Sequence, residues 1–189
     1  MTHTIFKSIK LINPATNFNQ KVNVVIQNET IISISKDLNL KKFNKDNQTI
    51  IYDCEGITIS PGIFDMRVNI GEPGSEHKET IKSVSMSAAS GGITSLICMP
   101  NTSPPIDQPA IIQSIQRKAR EVALSKFYCT GCITRGAIGK EICELQLMKE
   151  SGALGFTDGY KSIANVRVMK RALNYAKSFD GLIIQHAEE

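Results

Sequence analysis

The residues best suited to chemistry lie in segment 61–74, which reads PGIFDMRVNIGEPG, and at His186 towards the other end of the chain. His186 offers the imidazole that zinc favours, but a catalytic zinc generally needs three protein ligands and an open position. Segment 61–74 supplies Arg67 and Asn69 instead of further imidazoles. A guanidinium has no lone pair to donate and stays protonated at any working pH, so Arg67 cannot serve as a metal ligand.

Landmarks of one protein family run in order through the chain after about residue 50. They are PGIFDM at 61–66, EPG at 72–74, ETI at 79–81, AASGGITSLICMPNT at 88–102, GALGFTDG at 152–159, VMKRAL at 168–173 and HAEE at 186–189. On these motifs the chain resembles the dihydroorotases of the cyclic amidohydrolase superfamily. It most resembles metal-degenerate, non-catalytic dihydroorotase-like proteins that are associated with some bacterial aspartate carbamoyltransferases.

The resemblance implies that the first barrel strand has lost its ligands. Family members carry two histidine ligands where this chain has Arg67 and Asn69, and a substrate-clamping arginine where it has Gly71. A cation about 4 Å from a divalent ion would be repelled by about 8 kcal/mol at an effective dielectric constant near 20. The alternative role for Arg67 is structural, namely an ion pair with a carboxylate such as Asp65 that holds the barrel mouth together.

The later strands carry the other positions that the resemblance identifies. Gly159 falls where family members have a bridging aspartate, and the neighbouring Asp158 either replaces that ligand or closes a loop. His186 falls at the fifth-strand ligand position, as a hydrogen-bonded relic or as a ligand completed by residues outside this chain. Asn101 falls at a position that orients substrate in active relatives, although Asn-Thr before Ser-Pro-Pro is also a natural turn sequence.

The strand and helix patterns that must position these residues predict an α/β protein. Residues 1–57 show short β-branched runs around an Asn28-Glu29 turn and a polar loop at 38–48, which predicts a small β-sandwich-like domain. Residues 58–189 alternate apolar and amphipathic runs, which predicts the first half of an amidohydrolase-type TIM (β/α) barrel with about five strands. Its four helices are expected at 77–90, 108–124, 139–151 and 165–179.

Length and composition indicate a partial barrel and argue against nucleic-acid-binding and membrane-spanning functions. A complete eightfold barrel needs about 250 residues, so this chain of 189 residues is expected to be the N-terminal portion of a longer protein. Its net charge of +4 comes from scattered lysines and forms no basic stripe for nucleic acid. No apolar run approaches the roughly 18 residues of a membrane span and the first residues lack a secretory-signal pattern, so we expect a cytoplasmic protein without a membrane partner.

The cysteines predict reduced core thiols. There are 5 of them, an odd number, and they are set among apolar residues. Cys129 and Cys132 form a C-x-x-C pair, but alternate side chains of a strand point to opposite faces, so the pair suits neither a disulfide nor a metal knuckle. A structural role is favoured over redox or metal chemistry.

Together these observations predict a dihydroorotase-like protein of de novo pyrimidine biosynthesis that lacks catalytic residues and cofactors. The resemblance implies a structural or regulatory role beside aspartate carbamoyltransferase, within an oligomer. One alternative is an active dihydroorotase, or a related cyclic-amide hydrolase, with zinc in an atypical site. The other alternative is a small-molecule binding module that uses the old pocket, including Asn101, without chemistry.

Overall fold

The computed structural model describes residues 3–39, 43 and 49–188. The chain divides into two compact units, Met1–Pro61 and Gly62–Glu189. The polar loop predicted at 38–48 lies almost entirely outside the described residues. The assignment of residues 1–57 to a sandwich-like domain and of 58–189 to half of a barrel stays a prediction.

The described strands of the first unit form one hydrogen-bonded sheet. The strands are β1 (His3–Asn13), β2 (Phe18–Gln27), β3 (Thr30–Ser35), β4 (Thr49–Asp53) and β5 (Thr58–Ile59). Their order is β3-β2-β1-β4, with β5 also paired to β1. The turn predicted between β2 and β3 is confirmed: Asn28 and Glu29 have φ values of 47° and 66°, the left-handed conformation that a two-residue hairpin requires.

The second unit alternates parallel strands with helices. The strands β6 (Ile63–Val68), β7 (Ile93–Cys98), β8 (Lys126–Gly131) and β9 (Ala153–Phe156) pair in that order, and every pair is parallel. The helices between and after them are α1 (Ile81–Ser90), α2 (Pro109–Val122), α3 (Leu145–Glu150) and α4 (Val166–Lys177). The carboxyl ends of all four strands therefore meet at one edge of the sheet, where such folds build their sites.

The core of this unit follows the helical spacing seen in the sequence. Ile112, Ile115 and Ala119 of α2 are buried in the cluster that also holds Leu145 and Phe156. The five cysteines are all buried and free, as predicted. Cys98 and Cys129 lie opposite each other in the β7–β8 register and fill the same layer as small apolar side chains.

The predicted fifth strand is reduced to a single bridge between Phe156 and Ile183. Phe156 N–H donates to Leu182 O at 2.9 Å, and Ile184 N–H donates to Phe156 O at 2.8 Å. The ladder does not continue, because β9 ends at Phe156 and a turn follows at Gly159 and Tyr160. Four strands with ladder pairing, rather than five, are therefore present among the described residues of this unit.

Two predicted helices are shorter than expected. The helix placed at 77–90 begins only at Ile81, because Thr80 and Ser83 form a capping box that fixes the first turn. The helix placed at 139–151 begins only at Leu145. Gly139 has a φ of 73°, which no right-handed helix accommodates, and Thr134 instead pairs with Ile142 across an isolated bridge.

Helix length also bears on membrane insertion. Within the part of the chain that the structure describes, none of the helices is long and apolar enough to span a bilayer.

Candidate functional site

Arg67 lies at the carboxyl end of β6 and faces an aromatic ring. Its guanidinium carbon is 5.3 Å from the ring centroid of Tyr160. The ion pair suggested with Asp65 is absent, since Asp65 Oδ1 accepts the backbone N–H of Arg67 at 3.0 Å instead. That interpretation was wrong because an aspartate two residues away reaches the backbone more easily than the end of a long side chain.

Tyr160 also binds the second substituted position. The Nδ2 of Asn69 donates a hydrogen bond to the Tyr160 hydroxyl oxygen. A half-exposed tyrosine thus contacts both residues that stand where the resemblance places histidine ligands. Sequence reasoning missed Tyr160, although its place directly after Gly159 was a usable signal.

A small pocket opens beside this cluster. Its volume is about 100 Å³. The lining residues come from the ends of β6 and β9, from Met99 after β7 and from the segment after α4: Met66, Arg67, Met99, Thr157, Gly159, Ile184, Gln185 and His186. The structure therefore brings together Arg67, Gly159 and His186, three of the positions singled out in the sequence.

His186 is only loosely held at the rim of this pocket. Its side chain is 36% exposed, and its Nε2 lies 3.9 Å from Glu188 Oε2, too far for a hydrogen bond. The interpretation of His186 as a former ligand stays a prediction.

Asp158 does not point into the pocket as a substitute ligand. It is buried, and its Oδ1 accepts the backbone N–H groups of Ile133 and Thr134, each at 2.9 Å. Its Oδ2 accepts the hydroxyl of Thr134. Both oxygens are therefore engaged in closing the loop after β8, which is the structural alternative predicted for this residue.

Gly159, which lines the pocket, lies next to Asn101. Gly159 is buried, with a φ of 72°, and a Cβ built on it would lie 3.8 Å from the Cβ of Asn101. That spacing is ordinary van der Waals contact, so position 159 has room for a small side chain. The exposed amide of Asn101 can donate to or accept from a molecule at the mouth.

Gly71 has no such room. A Cβ at this position would lie 2.3 Å from the carbonyl oxygen of Glu79 and 2.5 Å from that of Ser75. The loop is closed on itself there, since Ser75 N–H donates to Gly71 O at 2.6 Å. An arginine clamp at this position is therefore incompatible with the observed backbone.

We expect Gly71→Ala to lower the free energy of unfolding by about 2 kcal/mol, because the loop backbone must move to admit the methyl group. Urea denaturation of the two proteins measures the difference. The matched control is Gly91→Ala, where the nearest atom to a new Cβ is 3.6 Å away and φ is −87°. Equal stabilities of the two variants would show that the loop around Gly71 adapts freely.

The same loop is anchored by the glutamate of the EPG motif. Glu72 Oε2 accepts the backbone N–H of Ile81 at 3.0 Å, at the start of α1. Its Oε1 lies 2.6 Å from Lys118 Nζ of α2, and this hydrogen bond raises the pKa of Lys118. Glu72 is therefore a structural residue that ties the loop to two helices.

The buried thiols of Cys132 and Cys143 are poor metal ligands and poor nucleophiles. Burial, together with the nearby carboxylate of Asp158, raises the pKa of Cys132 far above neutrality. Burial and the carboxylate of Asp107 raise the pKa of Cys143 to about 12. Both thiols are therefore protonated at neutral pH, whereas metal binding and nucleophilic attack need the thiolate.

The donor set does not fit a zinc centre. Among residues 3–39, 43 and 49–188, no three His, Cys, Asp or Glu side chains come together as a metal-binding group. At the pocket itself, His186 is the one imidazole, beside a permanent cation and a glycine. A hydrolytic step that uses metal-bound water cannot be derived from these residues.

Comparison with protein families places most of the chain in one of them. A model of the dihydro-orotase-like family matches residues 56–189. A dihydroorotase from Caldicellulosiruptor saccharolyticus is 38% identical over 185 residues, which cover 98% of this chain and 42% of that protein. A dihydroorotase from Aquifex aeolicus is 34% identical over 189 residues, which cover 100% of this chain and 43% of that protein. The chain thus spans less than half the length of these curated relatives.

Solved structures share the fold. The L-hydantoinase (dihydropyrimidinase) of Arthrobacter aurescens has a TM-score of 0.79 at 21% identity, covering 100% of this chain and 41% of that chain. The crystal structure of a dihydroorotase has a TM-score of 0.62 at 13% identity, covering 100% of this chain and 52% of that chain. The predicted fold class, part of a TIM-type (β/α) barrel after a small β-domain, is confirmed.

Proposed function

The chain belongs to the dihydroorotase-like family, and on that premise we propose that it is part of a catalytically inactive member that serves de novo pyrimidine biosynthesis. The proposed role is structural or regulatory, beside aspartate carbamoyltransferase in the cytoplasm. The names of the relatives support the pathway. The partner rests on the resemblance of the motifs to metal-degenerate members of the family.

One observation carries the proposal of inactivity. Arg67 and Asn69, at the two expected histidine positions, both contact Tyr160 and form a cluster without an imidazole, a thiol or a carboxylate. The next expected ligand position is Gly159, which has no side chain. Loss of these groups removes both the metal-activated nucleophile and the Lewis acid that the reaction would need.

The test of inactivity uses the full-length protein that contains this chain. We expect less than about 0.1 equivalent of tightly bound zinc by elemental analysis, and no turnover of dihydroorotate above the uncatalysed rate. A zinc-replete curated relative serves as the positive control. Stoichiometric zinc accompanied by turnover would reject the proposal.

The proposed partnership has a separate test. Full-length protein co-expressed with the aspartate carbamoyltransferase of the same genome should elute with it as one assembly of fixed stoichiometry in size-exclusion chromatography. Elution of the two proteins as separate species at micromolar concentrations would reject the partnership. That result would leave the proposal of inactivity intact.

An active cyclic-amide hydrolase is the second candidate, and His186 is the observation that favours it. The imidazole lies at the pocket rim with no hydrogen bond to Glu188, so it is available to a ligand. Residues outside this chain would then have to supply the missing zinc ligands. His186→Ala in full-length protein distinguishes the two, because zinc content and turnover fall together only if the second candidate is correct.

A further inference from the structure

We infer that the pocket beside Tyr160 binds a small carboxylate, held by the guanidinium of Arg67. The inference rests on the proposed loss of the metal ligands, because a dication in this pocket would repel Arg67. It does not depend on the partnership with aspartate carbamoyltransferase. It assigns a class of ligand to a pocket that, on the proposed function, no longer supports metal-dependent hydrolysis.

The first argument is that Arg67 has no anionic partner among the described residues. None of the described carboxylates forms an ion pair with Arg67. Asp65 is engaged with the Arg67 backbone, and both oxygens of Asp158 are engaged with the loop after β8. A guanidinium that lines a pocket and forms no ion pair with a described carboxylate favours an external anion.

The second argument is orientation. The guanidinium carbon lies over the Tyr160 ring, 5.3 Å from its centroid, so a cation–π contact helps to hold the group in place. Asn69 in turn holds the Tyr160 hydroxyl. A guanidinium carries its N–H groups in a fixed planar fork, which can form paired hydrogen bonds with a carboxylate.

The third argument is size and charge. With a volume of about 100 Å³, the pocket is small enough to be filled by a carboxylate group and the atoms next to it. Arg67 is the one permanent cation among the lining residues. A single positive charge matches a monoanionic carboxylate better than a phosphate that is close to doubly charged at neutral pH. The rest of the ligand would extend towards the amide of Asn101.

The test is a calorimetric titration of the full-length protein with N-acetylglycine, a monocarboxylate that carries an amide. Its neutral analogue N-acetylglycinamide and inorganic phosphate are titrated in parallel. We expect N-acetylglycine to bind with a millimolar dissociation constant, N-acetylglycinamide not to bind, and phosphate to bind more weakly. Arg67→Gln should weaken N-acetylglycine binding about tenfold or more, as loss of a charge-assisted bidentate contact predicts.

The matched control is Lys161→Gln, which removes the same charge from an exposed residue close to the mouth but outside the pocket lining. We expect less than a twofold change for this variant. The inference is overturned if N-acetylglycine does not bind, if both variants weaken it equally, or if phosphate binds more tightly. Zinc-dependent turnover would reject the proposed function even where Arg67-dependent binding is found, so the two failures are distinguishable.

Discussion

Asp158→Ala is expected to lower the free energy of unfolding by about 4 kcal/mol. The substitution leaves the buried N–H groups of Ile133 and Thr134 and the Thr134 hydroxyl without their acceptor. Each buried donor left unsatisfied costs about 1–3 kcal/mol, and bonds to a charged acceptor lie at the upper end of the range. Urea denaturation measures the total loss. Hydrogen exchange at the two amides reports whether the loss arises at this loop.

Asp158→Asn is the matched control for that variant. An asparagine oxygen can still accept both backbone N–H groups, and its amide can donate to Thr134 Oγ1, which also accepts the N–H of Gly139 at 2.8 Å, so that only the Thr134 hydroxyl hydrogen loses its acceptor. We therefore expect a loss of only about 1 kcal/mol. Comparable losses in the two variants would mean that the negative charge, rather than the hydrogen-bond geometry, holds the loop. Unchanged amide protection in Asp158→Ala would contradict the loop-closing role.

The parts of the fold that depend on local periodicity could be predicted from the sequence. The apolar spacing in α2 identified the buried face that contains Ile112, Ile115 and Ala119. Parallel strand and helix alternation followed from the same kind of pattern. The element boundaries failed where a tertiary contact decides them, as at Leu145, where α3 begins only after a loop that bridges Thr134 to Ile142.

The contacts at the mouth could not be predicted because they join residues far apart in the chain. The side chains of Asn69 and Tyr160 are 91 positions apart, and no local pattern indicates that they meet. The ion pair of Arg67 with Asp65 was inferred from proximity in sequence, and the structure places an aromatic ring there instead. Sequence reasoning named the substituted positions, whereas the structure supplies the residue that fills the space between them.

Gly71 and Gly159, which stand at expected functional positions, also show what the sequence alone cannot predict. Gly71 is enclosed by backbone carbonyl groups, while Gly159 faces open space towards Asn101. The sequence alone treats both as a missing side chain. The structure distinguishes the two positions. At Gly71 a side chain is sterically excluded, whereas at Gly159 a side chain fits, although a residue with a Cβ would pay about 1 kcal/mol for the left-handed backbone.

The second prediction is that zinc binding can be restored by returning donors to the substituted positions. The triple variant Arg67→His, Asn69→His and Gly159→Asp is expected to bind zinc at least about 100-fold more tightly than the unmodified protein. It removes the permanent cation from the pocket and adds donors at positions 67 and 159, which line the pocket with His186, and at position 69, two residues further along the chain. With His186 these would make the four ligands of a closed tetrahedral site if all of them converge. Competition with a chromophoric chelator measures the dissociation constants of both proteins.

The matched control is Arg67→Gln, Asn69→Gln and Gly159→Asp, which removes the same charge but supplies no imidazole. If relief of repulsion alone were sufficient, the control would bind zinc as tightly as the histidine variant. Adding His186→Ala to the histidine variant should then weaken binding at least about tenfold, because one of four direct ligands is lost and even the loss of a hydrogen-bond partner of a ligand costs about that much. A histidine variant that binds no better than the glutamine control would mean that positions 67, 69 and 159 do not converge on one metal. The proposal that this pocket is a lost metal centre would then fail, whereas Arg67-dependent binding of a carboxylate could still be measured independently.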